Sequence, residues 1–274
     1  MTRVYVLGAG GPRPTATRFG SSFVLETGGD QIMIDCGPAT THKLVKAGLW
    51  PTNVDFLFFT HHHFDHDIDY PCFLLCRWDQ SIGKENQLQV YGPKLTEQIT
   101  HRILDVDEGA FAHDWIARVS HPLSQSVHVN RGGVLPRKPP DVFAKDVGPG
   151  KVYSGKNWEV TAAPAEHVEP YLDSLAYRFD TPDGSIVFTG DTQPCDSVKA
   201  LAKDADVMLC MCSGDDQNLT KEALGAYDGC SGTTRAATMA QEAGVKKLVM
   251  VHIGARLSDE HGHMEKGIGD MKRL

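Results

Sequence analysis

Residues 54 to 66 read Val54-Asp55-Phe56-Leu57-Phe58-Phe59-Thr60-His61-His62-His63-Phe64-Asp65-His66. The first seven make an almost continuous apolar run of strand length, the pattern of a strand buried on both faces of a sheet. The run stops at three histidines, so imidazoles stand at the C-terminal end of a buried strand. With the two-residue period of a strand, 61 and 63 point the same way, and Asp65 and His66 turn back as the chain enters a helix. Imidazole nitrogen and carboxylate oxygen are both good zinc donors, and a catalytic zinc keeps one position open for water. Four donors within six residues can serve two ions.

The flanking sequence predicts the frame around this stretch. Before it, Arg3 to Gly8, Ser22 to Thr27 and Gln31 to Asp35 read as strands, with a Gly/Pro-rich loop from Ala9 to Pro14 and a turn at Gly28-Gly29-Asp30. Thr41 to Ala47 reads as a helix closed by Gly48. After it come helical patterns at 68 to 78 and 95 to 104, separated by a strand at 87 to 91. The second half gives strands at 158 to 163, 175 to 180 and 185 to 189, the last two joined by the hairpin signal Pro182-Asp183-Gly184. Helices at 197 to 203 and 234 to 243 alternate with apolar strands at 206 to 212 and 247 to 252. Both halves thus run from strands into helix-strand units, which predicts two sheets packed face to face with helices outside, in one domain spanning 1 to 274. Residues 118 to 156 carry five prolines and little periodicity, and are expected to form a loop or hairpin insertion. Three more donors fall at strand ends: His167, Asp191 in Thr189-Gly190-Asp191-Thr192, and His252 in Val251-His252-Ile253.

These residues resemble the signature of the metallo-β-lactamase superfamily, His-x-His-x-Asp-His followed by a histidine, an aspartate and a last histidine. All seven positions are filled. The resemblance implies a four-layer αβ/βα sandwich, with His61, His63 and His167 on one metal, Asp65, His66 and His252 on a second, and Asp191 bridging them. Two divalent ions, zinc by preference, would then be the cofactors. Their shared water would serve as nucleophile, with Asp65 orienting it or shuttling a proton. His62 is expected to face away. The stretch Leu7 to Ser22, with Gly10 and Gly11, and Ile34-Asp35-Cys36-Gly37 resemble the ribonuclease Z branch, which also holds arylsulfatases and small-molecule phosphodiesterases.

Within that branch the pattern breaks. Where tRNA-processing members carry His-Glu after the strand at 206 and His-x-Thr before the next helix, this chain has Cys210-Met211 and Cys230-Ser231-Gly232-Thr233. The long Gly/Pro-rich arm expected after His167 is also missing. Thirty-five acidic against 27 basic residues give a formal charge of -8, with no basic run suited to a polyphosphate backbone. These features predict a small-molecule substrate rather than nucleic acid, and an ester, lactone or related acyl compound as that substrate. A phosphodiesterase or arylsulfatase is the alternative, and a di-iron redox or sensor protein a more distant one. Seven cysteines without metal or disulfide spacing, no membrane span and no leader-like start predict reduced thiols and a cytoplasmic protein. Cys210 and Cys212 are expected in the core, and a homodimer is an open possibility.

Overall fold

A computed structural model describes residues 1 to 15, 17 to 216, 229 to 254 and 257. The N-terminal half contains β1 (Arg3–Ala9), β2 (Ser21–Thr27), β3 (Asp30–Ile34), α1 (Thr40–Lys46), β4 (Val54–Phe58), α2 (Phe64–Asp67) and α3 (Tyr70–Gln80). It continues through β5 (Leu88–Gly92), α4 (Thr96–Leu104), α5 (Ala112–Ser120), α6 (Pro122–Asn130) and β6 (Val142–Asp146). The C-terminal half contains β7 (Gly150–Ser154), β8 (Glu159–Pro164), β9 (Leu175–Thr181), β10 (Gly184–Phe188), α7 (Asp196–Leu201), β11 (Val207–Met211), α8 (Thr233–Glu242) and β12 (Leu248–Val251). Each half forms one six-stranded sheet in sequential order, β1 to β6 and β7 to β12. In each, antiparallel neighbours give way to parallel ones as soon as helices begin to connect the strands.

The alternation of side chains along the strands builds the layers. Phe23, Leu25, Ile32, Ile34 and Phe58 meet Trp158, Tyr177, Phe179, Ile186, Phe188 and Leu209 between the sheets. The intervening Val24, Met33 and Leu57 pack outward against Leu44, Tyr70, Phe73 and Ile103 of α1, α3 and α4. On the other sheet Val187, Met208 and Cys210 pack outward against Val198 of α7 and Ala236 and Met239 of α8. A strand buried on both faces is apolar at nearly every position, which is why residues 54 to 60 show no alternation and Asp55, at the strand's start, is their one charge. The outcome is the expected αβ/βα sandwich.

The segment from 118 to 156, expected as a loop insertion, instead holds the end of α5, all of α6, and the edge strands β6 and β7. Both strands are half-exposed, with no buried residue in either, so their sequences lack the apolar contrast that marks a strand. Proline falls at the first turn of α6, where its missing N–H costs nothing.

At one end of the sandwich the sheets are joined by more than apolar packing. The Leu175 N–H donates to Thr60 O at 2.8 Å, and the Tyr177 hydroxyl to Phe59 O at 2.9 Å. The loops that follow β4, β8, β10 and β12 converge there.

Candidate metal centre

His61 follows β4, and its ring is completely buried. Its Nε2 lies 3.1 Å from His63 Nδ1, which lies 3.2 Å from Nε2 of His167 in the loop after β8. These three imidazoles form one convergent set of donor atoms. A second set is Asp65, His66 and His252: Asp65 Oδ2 is 3.1 Å from His252 Nε2 and 3.6 Å from His66 Nε2. Asp191, in the loop after β10, reaches both. Its Oδ1 lies 3.5 Å from His66 Nε2, while its Oδ2 lies 3.1 Å from His252 Nε2 and 3.8 Å from His167 Nε2. All seven residues singled out in the sequence therefore meet at one place, from α2 and the loops that follow four strands of the two sheets.

Contacts behind the cluster hold the donor atoms in position. Asp35, just past β3, accepts the Nδ1 proton of His66 at 2.8 Å and bonds the Thr60 N–H at 2.7 Å and hydroxyl at 2.9 Å. That bond fixes the His66 tautomer with Nε2 facing the cluster. Gly229 O accepts the Nδ1 proton of His167 at 2.6 Å, leaving that Nε2 facing inward as well. Asp35 and His252 sit at positive φ, 57° and 50°, backbone strain of the kind that collects at functional sites. Gly11 has no side chain for a steric reason: an added Cβ would stand 2.7 Å from Cε1 of His252.

The electrostatics are those of a site built for cations. Burial, then the neighbouring His66, holds His61 well below the ordinary histidine pKa, and burial with His167 lowers His63. Both are neutral, the form that ligates. Burial opposes charge on His66 too, but Asp191 and Asp35 outweigh it and raise its pKa well above the ordinary value. Burial likewise opposes ionisation of Asp191, and His252 and His66 overcome it, holding the carboxyl well below the usual range. His66 Nε2 and Asp191 Oδ1 are nonetheless buried without any hydrogen-bond partner. Orphaned, facing polar atoms in an imidazole and carboxylate cluster are what a divalent cation would satisfy, so these residues fit the metal that the sequence implies.

A family model described as a beta-lactamase superfamily domain matches residues 30–253. The chain belongs to the metallo-β-lactamase superfamily. Within it the chain groups with the ribonuclease Z branch and is a metal-dependent hydrolase. A protein named ribonuclease Z from Mycobacterium sp. strain KMS is 29% identical over 258 residues, 92% of this chain and 84% of the relative. The fold is shared with the metallo-beta-lactamase fold protein YhfI from Bacillus subtilis, with a TM-score of 0.70, 19% identity, and coverage of 98% of this chain and 92% of that one. Human tRNase Z, short form, gives 0.65, 20% identity, and 94% coverage of both chains.

The expectation that excluded nucleic acid is overturned by these relatives, whose names denote RNA processing. A net charge of -8 is a sum over the whole surface, and it does not describe the field at one local cluster of side chains.

His62 faces away as expected, with Nε2 2.8 Å from Thr96 Oγ1 and its ring against Phe59. Cys210 and Cys212 are completely buried, and burial pushes both thiols up to about 12. Met211 accepts the Thr192 N–H on its sulfur at 3.0 Å, and the Ser231 hydroxyl donates to Thr192 O at 2.8 Å. These residues thus brace the loop carrying Asp191. Asp35 is the functional residue that ligand spacing did not reveal. Its trace in the sequence is an acid ending the apolar run Ile32-Met33-Ile34. Among the described residues no helix is long and apolar enough to cross a membrane.

Proposed function

We propose that this protein hydrolyses phosphodiester bonds at a centre of two zinc ions, His61, His63 and His167 holding one, and Asp65, His66 and His252 the other, with Asp191 between them. The observation that carries this reading is the pair of donor sets tied through Asp191, with His66 Nε2 and Asp191 Oδ1 lacking partners. Such a pair of ions supplies a water acidic enough to ionise near neutral pH and positive charge for the developing oxyanion. The chain's own residues do the rest. Asp35 and Gly229 O orient His66 and His167, and the Asp65 carboxylate orients the attacking water. The relatives named ribonuclease Z favour a phosphodiester over the acyl substrate expected from sequence. A cytoplasmic setting belongs to the same reading, because the seven cysteines stand unpaired, as a reducing compartment would keep them.

The experiment compares bis(p-nitrophenyl) phosphate, a precursor tRNA and p-nitrophenyl acetate on one zinc-loaded preparation. At least one phosphodiester should turn over faster than the carboxylic ester, and a chelator should abolish that turnover. A carboxylic ester hydrolysed faster than both phosphodiesters would overturn the proposal.

A further inference from the structure

A cavity of about 500 Å³ lies away from the metal cluster. It lies at the opposite end of β4. Arg77, in its wall, donates from Nε to Val54 O at 2.7 Å, at the first residue of β4, whereas the histidines follow the last. At about 3.3 Å per residue, β4 alone separates the two sites by roughly 13 Å. The floor is the last turns of α3 with the start of β5 and β6, and the roof is the segment from Gly132 to Pro140 that leads into β6.

Its lining defines the ligand. Leu74, Trp78, Ile82, Val134, Leu135 and Pro136 give it apolar walls. The Trp78 indole N–H is already donated to Lys138 O at 3.0 Å, so this side chain has only ring carbon to offer. The charges of the two buried arginines are also committed. Arg77 is bonded to Asp55 at 3.0 Å and to both oxygens of Asn86. Arg137 pairs with Asp79 at 2.8 Å and lies over the Trp78 ring at 4.1 Å. Asp141 accepts from Gln87 at 2.7 Å, and Glu85 from the Gly83 N–H at 3.2 Å. The roof is therefore tied to the floor by the Trp78, Lys138 and Arg137 contacts, and the space between them stays open. A volume in the range of small-molecule sites, with mainly apolar walls and both buried arginines held by carboxylates, matches a mainly apolar ligand. Rigid flat surfaces, an indole ring and prolines, favour a planar one.

We propose that this cavity is a second binding site, separate from the metal centre, for a neutral planar aromatic molecule. The fluorescent probe N-phenyl-1-naphthylamine has that chemistry and brightens on leaving water. It should bind the zinc-loaded protein at one site per chain, and its anionic relative 8-anilinonaphthalene-1-sulfonate should bind at least tenfold more weakly. Ile82→Trp, which fills the cavity from its wall, and Leu135→Glu, which places a carboxylate at its half-exposed rim, should each weaken the neutral probe by tenfold or more. Both variants should keep the wild-type melting profile and hydrolytic rate, since neither touches the metal cluster. If one variant fails to fold, the other carries the test. Absence of neutral-probe binding, tighter binding of the anionic probe, or unchanged affinity in a folded variant would overturn the proposal.

Discussion

Asp35 contributes no atom to the facing donor sets, yet His66 depends on it. Its carboxylate takes the Nδ1 proton of His66 and is itself pinned by Thr60. Removing such a partner of a ligating histidine costs about 10- to 100-fold in metal affinity or activity. Asp35→Ala should therefore load zinc with about that loss of affinity, measured by competition with a chromophoric chelator, while Asp35→Asn keeps the size of the side chain and should fall between. Asp191 stands differently, since it faces both sets at once and its negative charge would offset the two like charges of the proposed ions. Asp191→Ala should lower metal content and turnover together. Two zinc ions per chain in Asp191→Ala, counted by elemental analysis, would place the bridge elsewhere.

Between elements, one exposed cluster gives a pH signature separate from the site. Asp206 leads into β11 and ties it to two neighbours: Lys246 before β12 donates to it at 2.7 Å, and the Ser185 N–H in β10 at 2.8 Å. The Lys246 bond, then the Ser185 bonds, push its pKa down to about 2 from the ordinary 3.8. Because the folded value is the lower one, the carboxylate stabilises the fold fully above the unfolded pKa, and that contribution disappears as pH falls toward 2. The difference in melting temperature between the wild type and Asp206→Asn should accordingly be flat above about pH 5 and shrink between about pH 4 and 2. A difference that grows on acidification would remove Asp206 from this role.

Elements also decide what the sequence made legible. β4 and its histidines could be read because a doubly buried strand is apolar along nearly its whole length and its end is abrupt. His167, Asp191 and His252 could be read because each follows a strong strand pattern. β6 and β7 could not, because edge strands carry few buried side chains and their pairing comes from β5 and β8 rather than from their own residues. Asp35 was hidden for a related reason: its role is set by a bond to a residue 31 positions away.

On the scale of the molecule, the proposed metal centre lies where the two sheets meet, and its seven candidate donors come from both of them. His61, His63, Asp65 and His66 belong to the segment between β4 and α3 on the first sheet, and His167, Asp191 and His252 to the second sheet's loops. Ions bound there cross-link the halves of the sandwich. Binding only to the folded chain, they stabilise it by about 2.7 kcal/mol when free metal stands at 100 times its dissociation constant. At about 2–4 °C per kcal/mol for a chain of this size, chelation should lower the melting temperature by roughly 5–10 °C, and added zinc should restore it in a concentration-dependent way. The apo form should still fold, because the Phe58, Trp158, Tyr177 and Phe179 layer between the sheets is independent of the ligands. Asp191→Ala should respond much less to the chelator, since it would have less metal to lose. Equal melting temperatures for the wild type with and without chelator, at a zinc content shown to differ, would mean that the ions serve chemistry alone and that the sheets hold together without them.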